Sequence, residues 1–313
     1  RAVQLSTERQ VALKSTNAAV FGSEEARIRF EREVELSARL DHPCIARVYA
    51  SGREGNLHYY ALELIDGIAL DQFVKQCDLD ERQLLELFGK VCRAVQHAHQ
   101  RGVIHRDLKP GNILVDAACE PHVLDFGLAK AILDEDADDQ HMLTQDGAIA
   151  GTPAYMAPEQ AAGRVRDIDT RTDVYTLGVI LYRLITNESP HSLEGSQFEV
   201  IRRIVDDEVR RPRQVLPKIN TEIDAILLKS LAKAPSDRYA TAGELADDID
   251  RFLQGDPIEA HAPTTLYFLR KNAWKYRLPL MGAFAVLVLI FAAGGFYVHS
   301  IRSERFNTQR EFE

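Results

Sequence analysis

The sequence predicts an α+β protein: a small strand-rich part with one helix, then a larger helical part, then one membrane-spanning helix. Residues 1–64 contain four short runs rich in strand-forming residues, bounded by turn residues. Helical patterns predominate from about residue 70 to residue 253. The segment 278–301 contains no Asp, Glu, Lys or Arg, and it is long enough to cross a lipid bilayer.

The strand-rich part begins with two short strands, RAVQL and QVALK, which polar turn residues separate. A helical pattern follows from Ser23 to Leu40, and the dipeptide His42-Pro43 ends it. Two more strand-like runs, CIARVYAS and LHYYALEL, are separated by the turn residues GREGN. This order predicts a small strand-rich unit with one helix.

In the larger part, helical periodicity predicts five helices, at residues 80–101, 172–187, 196–208, 221–233 and 241–253. The stretch 103–160, between the first two helices, shows little periodicity. Long irregular segments inside a compact domain are uncommon and usually functional. We therefore expect this stretch to carry the chemistry of the protein.

The composition excludes several classes of protein. The hydrophobic fraction of 45% and the charged fraction of 27% are those of a folded globular protein. The net charge of −9 argues against a nucleic-acid-binding protein, which would carry a basic surface. The four cysteines are scattered and form no C-x-x-C pair, a usage that fits a reducing cytosol better than a disulfide framework.

The apolar segment predicts a single transmembrane helix at residues 278–298. As a helix, residues 278–301 would span about 36 Å, against a hydrocarbon core of about 30 Å. An apolar terminal helix of a soluble core is the alternative, but such a helix would normally keep a polar stripe. Residues 254–277 form a linker that ends in basic and aromatic residues, the pattern of a cytoplasmic membrane flank. Residues 299–313 begin a charged C-terminal region.

Three motifs lie in the irregular stretch: HRDLKPGNILV at 105–115, DFGLAK at 125–130 and GTPAYMAPE at 151–159. In this order and spacing they resemble the catalytic loop, the metal-binding segment and the activation segment of protein kinases. The chain resembles the bacterial, membrane-anchored, eukaryotic-like Ser/Thr protein kinases over residues 1–253. The resemblance implies the two-lobed protein kinase fold, ATP and Mg²⁺ as cofactors with Mn²⁺ as an alternative metal, and protein substrates.

Phosphoryl transfer requires that the reacting groups are positioned, that the phosphate charge is neutralised and that a group accepts the substrate proton. The protein itself takes little part in covalent chemistry. Asp107 is a carboxylate able to accept that proton, and Lys109 can point to the same side and meet the transferred phosphate. Asn112 and Asp125 offer an amide and a carboxylate oxygen, which are hard ligands that suit Mg²⁺. These four residues form the predicted catalytic and metal-binding set.

The resemblance also implies how ATP is bound. Lys14 of VALK would hold the α- and β-phosphates and pair with a helix glutamate. Of the two neighbours Glu33 and Glu35, the spacing to His42-Pro43 in the family selects Glu33. The adenine would lie between Ala12 and Leu114, beside the gatekeeper Leu62 and a hinge that runs from Glu63 to Ile65.

By resemblance, the activation segment takes a phosphate that neutralises Arg106, and Arg106 and Lys130 would form its pocket. Thr144 is the predicted phosphosite, and Asp146 could partly substitute for the phosphate. Thr152, together with the lysine of the catalytic loop, indicates Ser/Thr rather than Tyr specificity.

Five further residues have structural roles that the resemblance implies: His105 packs under Phe126, Glu159 forms a buried ion pair with Arg238, and Asp173 anchors the catalytic loop. The chain also departs from the family pattern in two places. The first strand and the Gly-rich phosphate loop are absent, because Lys14 lies only 13 residues from the start. Ser37 stands where the family usually carries a bulky apolar residue, and its hydroxyl would weaken the packing around Phe126.

These features predict an active Ser/Thr protein kinase of the plasma membrane, with its kinase domain in the cytoplasm. Expected partners are protein substrates, ATP, membrane lipid and a second copy of the chain for trans-autophosphorylation, but no nucleic acid. A catalytically inactive pseudokinase that scaffolds partners is the alternative, and a small-molecule kinase is a third. Lys14, Asp107, Asn112 and Asp125 argue against a pseudokinase, since such proteins typically lose at least one of them. The motif GTPAYMAPE argues against a small-molecule kinase.

Overall fold

A computed structural model of the protein describes residues 1–4, 7–17, 24–126, 153–260, 287 and 290–295. The chain divides into two compact units. The first contains residues 1–254 and 258–261, and the second contains residues 255–257 and 262–313. The candidate site lies in the first unit.

The first unit opens with a four-stranded antiparallel sheet in the order β1-β2-β4-β3. Its strands are β1 (Ala2–Gln4), β2 (Arg9–Asn17), β3 (Val48–Glu54) and β4 (Leu57–Glu63). The register sets Ala12 opposite Leu62 and Lys14 opposite Tyr60. All four predicted strands are therefore present in one sheet.

Helix α1 (Glu24–Ala38) is the helix of this lobe, as the sequence predicted. Its buried positions Phe30, Val34 and Ser37 recur every three or four residues, so they form one stripe along the helix. Phe30 and Val34 pack with Tyr60 and Leu62 of β4 in a hydrophobic cluster. This packing holds α1 against the sheet.

A second, three-stranded antiparallel sheet follows, in the order β5-β6-β7. Its strands are β5 (Gly67–Ala69), β6 (Ile113–Asp116) and β7 (Pro121–Val123). Two of its strands, β6 and β7, lie inside the stretch 103–160, where the sequence shows little periodicity. Its strands have three or four residues each, which is too short for an alternating pattern to be visible.

The larger lobe is built from helices. They are α2 (Leu70–Cys77), α3 (Glu81–His99), α4 (Pro158–Ala161), α5 (Thr170–Thr186), α6 (Gln197–Asp206), α7 (Pro212–Val215), α8 (Thr221–Ser230) and α9 (Ala242–Gln254). The five predicted helices correspond to α3, α5, α6, α8 and α9. Helix α5 is buried on every face over residues 172–182, and a Cβ at Gly178 would meet the Ser230 Cβ at 2.7 Å. This central helix carries Asp173.

The end of the first unit is tied to its core. Asp248 of α9 is fully buried and accepts hydrogen bonds from the Tyr239 hydroxyl and from the N–H groups of Glu259 and Ala260, at 2.7–2.8 Å. Ile258 is buried as well. Residues 258–260 therefore pack on the core of the first unit.

In the second unit, residues 290–295 are helical. No helix within the described part of the chain is long and apolar enough to cross a membrane. The predicted span 278–298 lies outside the described residues except at 287 and 290–295. The tail predicted at 299–313 lies entirely outside them.

Candidate active site

The catalytic-loop residues named by the sequence meet at Asp107. The Lys109 ammonium donates to Asp107 Oδ2 at 2.7 Å, and the Asn112 amide donates to the Asp107 carbonyl at 2.9 Å. A 3₁₀ turn over Pro110–Asn112 brings the amide back to this carboxylate. The Asp107 side chain is 29% exposed, so the carboxylate can be reached from solvent. Lys109 and Asp107 thus lie on the same side of the loop.

Asp173 fixes the backbone of this loop through hydrogen bonds to its carboxylate. Its Oδ1 accepts from the Arg106 N–H at 2.9 Å, and its Oδ2 accepts from the His105 N–H at 2.7 Å and from His99 Nε2 at 2.8 Å. Burial alone would raise the pKa of Asp173, but the hydrogen bond and charge of His99 outweigh it and lower the pKa. The buried carboxylate therefore stays ionised. Arg106 adopts a left-handed φ of 64°, which these contacts hold in place.

His105 supports the segment that carries Asp125. Its ring lies 4.9 Å from the ring of Phe126, and its Nε2 donates to the Leu124 carbonyl at 2.8 Å. The other ring nitrogen accepts from the Asp107 N–H at 3.3 Å, which fits the same neutral tautomer. The structure therefore places His105 in contact with Phe126 and gives it hydrogen bonds on both sides.

Asn112 and Asp125 lie on neighbouring parts of the chain, because the Leu124 N–H donates to the Asn112 carbonyl at 2.8 Å. Asp125 Oδ1 is buried and accepts no hydrogen bond from any described residue. The Asn112 amide nitrogen is turned to Asp107, which leaves its oxygen as an acceptor. These oxygens fit a hard divalent cation that takes few protein ligands and completes its shell with phosphates. No group of three or more His, Cys, Asp or Glu suited to a metal occurs in the described ranges.

Lys14 of β2 reaches the same place from the smaller lobe. Its ammonium contacts Asp125 Oδ2. The predicted partner Glu33 is half-buried on α1, and its pairing with Lys14 stays a prediction. Tyr60, opposite Lys14 in the sheet, lies beside Asp125; burial and the charge of Asp125 raise the pKa of its hydroxyl. Lys14 and Asp125 hold each other where phosphates and metal are expected.

The residues predicted to bind adenine lie on both sheets and on the segment that joins β4 to β5. Ala12 packs against the cluster that contains the buried Leu62, and Leu114 is half-buried on β6. Glu63 ends β4, and Ile65 follows before β5 begins. The Glu63 N–H already donates to the Arg47 carbonyl at 2.8 Å, so it is not free for a nucleotide.

Part of the predicted activation segment cannot be placed, because Lys130, Thr144, Asp146 and Thr152 lie outside the described residues. Arg106 can be placed: its Nε is buried and finds no acceptor among the residues that the structure describes. An unpaired guanidinium N–H at this position fits the prediction that Arg106 takes an anion.

The predicted scaffold pair forms a buried, bidentate contact. Arg238 donates to both Glu159 oxygens at 2.8 Å, and both side chains are at most 2% exposed. Three backbone carbonyls accept the remaining Arg238 donors, and Thr172 donates to Glu159 at 2.8 Å. Burial would raise the pKa of Glu159, but the hydrogen bonds and charge of Arg238 lower it.

Sequence reasoning missed two residues of the site. Gln160 is 2% exposed; its amide donates to the Arg106 carbonyl at 2.9 Å and accepts from the Ala157 N–H at 3.2 Å. It follows GTPAYMAPE directly, so the only signal in the sequence was its position next to that motif. Tyr60 gave no signal, because its closeness to Asp125 depends on the register of β2 and β4.

Comparison with known proteins agrees with this geometry. The family model of the protein kinase domain matches residues 1–248. The chain belongs to the protein kinase family. Its curated relatives include the Ser/Thr-protein kinase PknB of Mycobacterium tuberculosis, which is 36% identical over 261 residues, 82% of this chain and 41% of that protein. PknB of Mycobacterium leprae is 38% identical over 257 residues, 80% of this chain and 40% of that protein.

Among solved structures, the kinase domain of PknI from Mycobacterium tuberculosis matches 78% of this chain and 85% of its own length, with 29% identity and a TM-score of 0.59. The bacterial, eukaryotic-like Ser/Thr protein kinase family predicted from the motifs is thereby confirmed, and so is the kinase fold of the domain. The chain spans about two fifths of the length of the PknB relatives. Its residues 1–248 form a protein kinase domain.

Proposed function

We propose that this chain transfers the γ-phosphoryl group of ATP to Ser or Thr hydroxyls of proteins, in the presence of Mg²⁺, while anchored to a membrane. The observation that carries the proposal is the position of Asn112. Its side chain holds Asp107, and its carbonyl holds the backbone next to Asp125. The proton acceptor and the carboxylate expected to bind metal are thus fixed to each other through one residue.

The residues divide the reaction between them. Asp107 would orient the substrate hydroxyl and accept its proton as the oxygen attacks the γ-phosphorus. Lys109, which already contacts Asp107, would neutralise negative charge on the transferred phosphoryl group. Lys14 would hold the phosphates of ATP. When bound to Asn112 and Asp125, Mg²⁺ supplies further neutralisation of phosphate charge.

The test compares the full chain with its Asp107→Asn variant, using ATP labelled in the γ-phosphate and a general protein substrate. Loss of a general base lowers the rate by about 10²–10⁴, and the fold should be retained because asparagine has the same shape. Asp78→Asn is the matched control, since it removes one charge from an exposed position that lies outside the catalytic loop. Asp125→Asn should reduce phosphotransfer at least as strongly as Asp107→Asn.

Two results would contradict the proposal. Equal phosphotransfer in Asp107→Asn and wild type would remove Asp107 from the mechanism. No phosphotransfer by the wild-type chain, with ATP still bound, would favour the pseudokinase scaffold instead. Phosphoserine and phosphothreonine, identified by mass spectrometry of the substrate, would decide the amino-acid specificity.

The membrane part of the proposal rests on the sequence. Residues 278–301 carry no formal charge, and four bases precede them in 270–277. We propose one span at 278–298, location in the plasma membrane and a cytoplasmic kinase domain, since that domain needs cytosolic ATP. The test is extraction of membranes with alkaline carbonate, followed by protease treatment of sealed vesicles. Release of the chain by carbonate, or a kinase domain on the outer face, would contradict this topology.

A further inference from the structure

Ser37 is a buried polar residue on the apolar stripe of α1. It is 5% exposed and follows Phe30 and Val34 on the face that packs against the sheet. A hydroxyl buried among apolar side chains requires a partner, because an unpaired one is strongly unfavourable. The partner is 89 residues away along the chain: Ser37 Oγ donates to the Phe126 carbonyl at 3.0 Å.

This bond ends at the residue after Asp125, where the backbone is strained. Asp125 has a φ of 59°, in the left-handed region that is unfavourable for a residue with a Cβ. Such a conformation persists only where the surroundings impose it. On the N-terminal side, Leu124 is held twice: its N–H donates to the Asn112 carbonyl, and its carbonyl accepts from His105.

On the C-terminal side, Phe126 is held by two contacts of different kinds. Its ring packs on the His105 ring at 4.9 Å, and its carbonyl accepts from Ser37. The ring contact leaves the peptide group free to rotate, whereas the hydrogen bond fixes the direction of the carbonyl. Ser37 therefore fixes the peptide group that follows Phe126, and so it restrains the backbone on the C-terminal side of Asp125.

The same residue belongs to the helix that carries Glu33. Ser37 is four residues after Glu33, so the two lie on the same side of α1. Lys14, the predicted partner of Glu33, contacts Asp125. A shift of α1 would consequently pull on the Phe126 carbonyl, and a rotation of the Asp125 backbone would release α1.

We propose that Ser37 is a positioning residue, whose hydroxyl fastens helix α1 to the strained backbone that presents Asp125. This inference deepens the proposed function and rests on it for the role of Asp125 in metal binding. The bond itself can be tested without activity. The net contribution of one hydrogen bond changes an equilibrium constant by about 2-fold to 12-fold, and that range sets the size of the expected effects.

The first experiment measures hydrogen–deuterium exchange in the full chain without nucleotide. Ser37→Ala should increase exchange about 2-fold to 12-fold in peptides that cover 30–40 and 121–126, through loss of one hydrogen bond. Ser37→Cys has nearly the same volume but a weak donor, so it should resemble Ser37→Ala. Ser37→Thr keeps the hydroxyl and should stay near wild type. Wild-type exchange in both Ser37→Ala and Ser37→Cys would overturn the proposal.

Ser230→Ala is the matched control. Ser230 is 1% exposed and also donates to a carbonyl, that of Ile226 at 2.9 Å, but within helix α8. It should lower thermal stability to a similar extent and leave exchange in 30–40 and 121–126 unchanged. An equal rise of exchange in those two segments for Ser230→Ala would show a general loosening of the fold and would also overturn the proposal.

The second experiment measures phosphotransfer as a function of Mg²⁺ concentration. Ser37→Ala should raise the half-saturating Mg²⁺ concentration about 2-fold to 12-fold, while kcat at saturating Mg²⁺ changes much less. An unchanged Mg²⁺ dependence in an active Ser37→Ala enzyme would contradict the link to Asp125. If the wild-type chain transfers no phosphate, the proposed function fails by itself, and the exchange experiment still decides whether Ser37 fastens α1.

Discussion

The buried pair of Glu159 and Arg238 gives a prediction whose size follows from the structure. The Arg238→Met variant keeps much of the side-chain volume and removes the charge. Glu159 would then keep its hydrogen bond from Thr172 but lose both donors of the guanidinium. Because both side chains are at most 2% exposed, water cannot replace them. Removing one partner of such a pair lowers the free energy of unfolding by about 3–5 kcal/mol.

The assay is urea unfolding at pH 7, followed by circular dichroism, with calorimetry as a second measurement. For a domain of this size each kcal/mol shifts the melting temperature by about 2–4 °C, so a decrease of about 6–20 °C is expected. Arg202→Met is the control: Arg202 and Asp206 form a pair at 3.8 Å with side chains 74% and 61% exposed. Such exposed pairs contribute little, and this variant should unfold like wild type.

The pair also has a definite pH dependence. The pKa of Glu159 is lowered in the folded protein relative to its ordinary value of 4.5. The folded state therefore binds fewer protons than the unfolded state near that pH, and the stabilisation is present above 4.5 and lost as the pH falls below it. A double-variant cycle with Glu159→Gln should give a coupling energy at pH 7 that shrinks below pH 4.5. A loss of less than 1 kcal/mol in Arg238→Met at pH 7 would refute the reasoning.

Three further predictions concern activity, pH and activation. Lys14→Met should lower kcat/KM for ATP at least tenfold, because Lys14 contacts Asp125. The chain should stay folded, because the Lys14 side chain is 43% exposed; an unchanged kcat/KM would contradict the role of Lys14. His191 is buried beside Tyr175, and burial lowers its pKa from 6.5 to about 4. Stability should therefore fall as pH decreases from 6.5 to 4, and His191→Asn should flatten this slope in urea titrations. Thr144→Ala should reduce activation. Anchoring in a membrane raises the effective concentration of one copy near another, so Thr144 phosphorylation should be faster in membranes than in a chain shortened after Ala260; equal rates at matched bulk concentration would contradict this effect.

The sequence was sufficient to predict those parts of the site whose residues lie close together along the chain. Asp107, Lys109 and Asn112 lie within six residues, and one turn of backbone brings their side chains together. The buried pair of Glu159 and Arg238 joins residues 79 positions apart, yet the family resemblance named both. The strands of the first sheet and the long helices were visible because their apolar periods extend over several residues.

Other features depend on contacts that no local pattern records. The sheet β5-β6-β7 has strands too short to alternate visibly. From the sequence, the Ser37 hydroxyl is expected only to weaken the packing at Phe126, because the residues of the helix do not show the direction of a carbonyl 89 residues away. The packing of 258–260 on Asp248 was missed for the same reason. In the last two cases a buried polar side chain found its partner through the tertiary fold.

Because the Asp173 carboxylate binds the catalytic loop, the loop loses its conformational entropy during folding and not during substrate binding. Two consecutive amides, those of His105 and Arg106, donate into a side chain buried in helix α5, so the loop becomes ordered as the lobe folds. Fixing one residue removes about 1–2 kcal/mol of backbone entropy at 25 °C, and residues 105–107 together amount to roughly 3–6 kcal/mol. In the proposed reaction, a protein substrate would therefore not have to order this loop from its own binding energy. Affinity for the substrate can stay low, and the product can leave quickly, while Asp107 remains in place for the next hydroxyl.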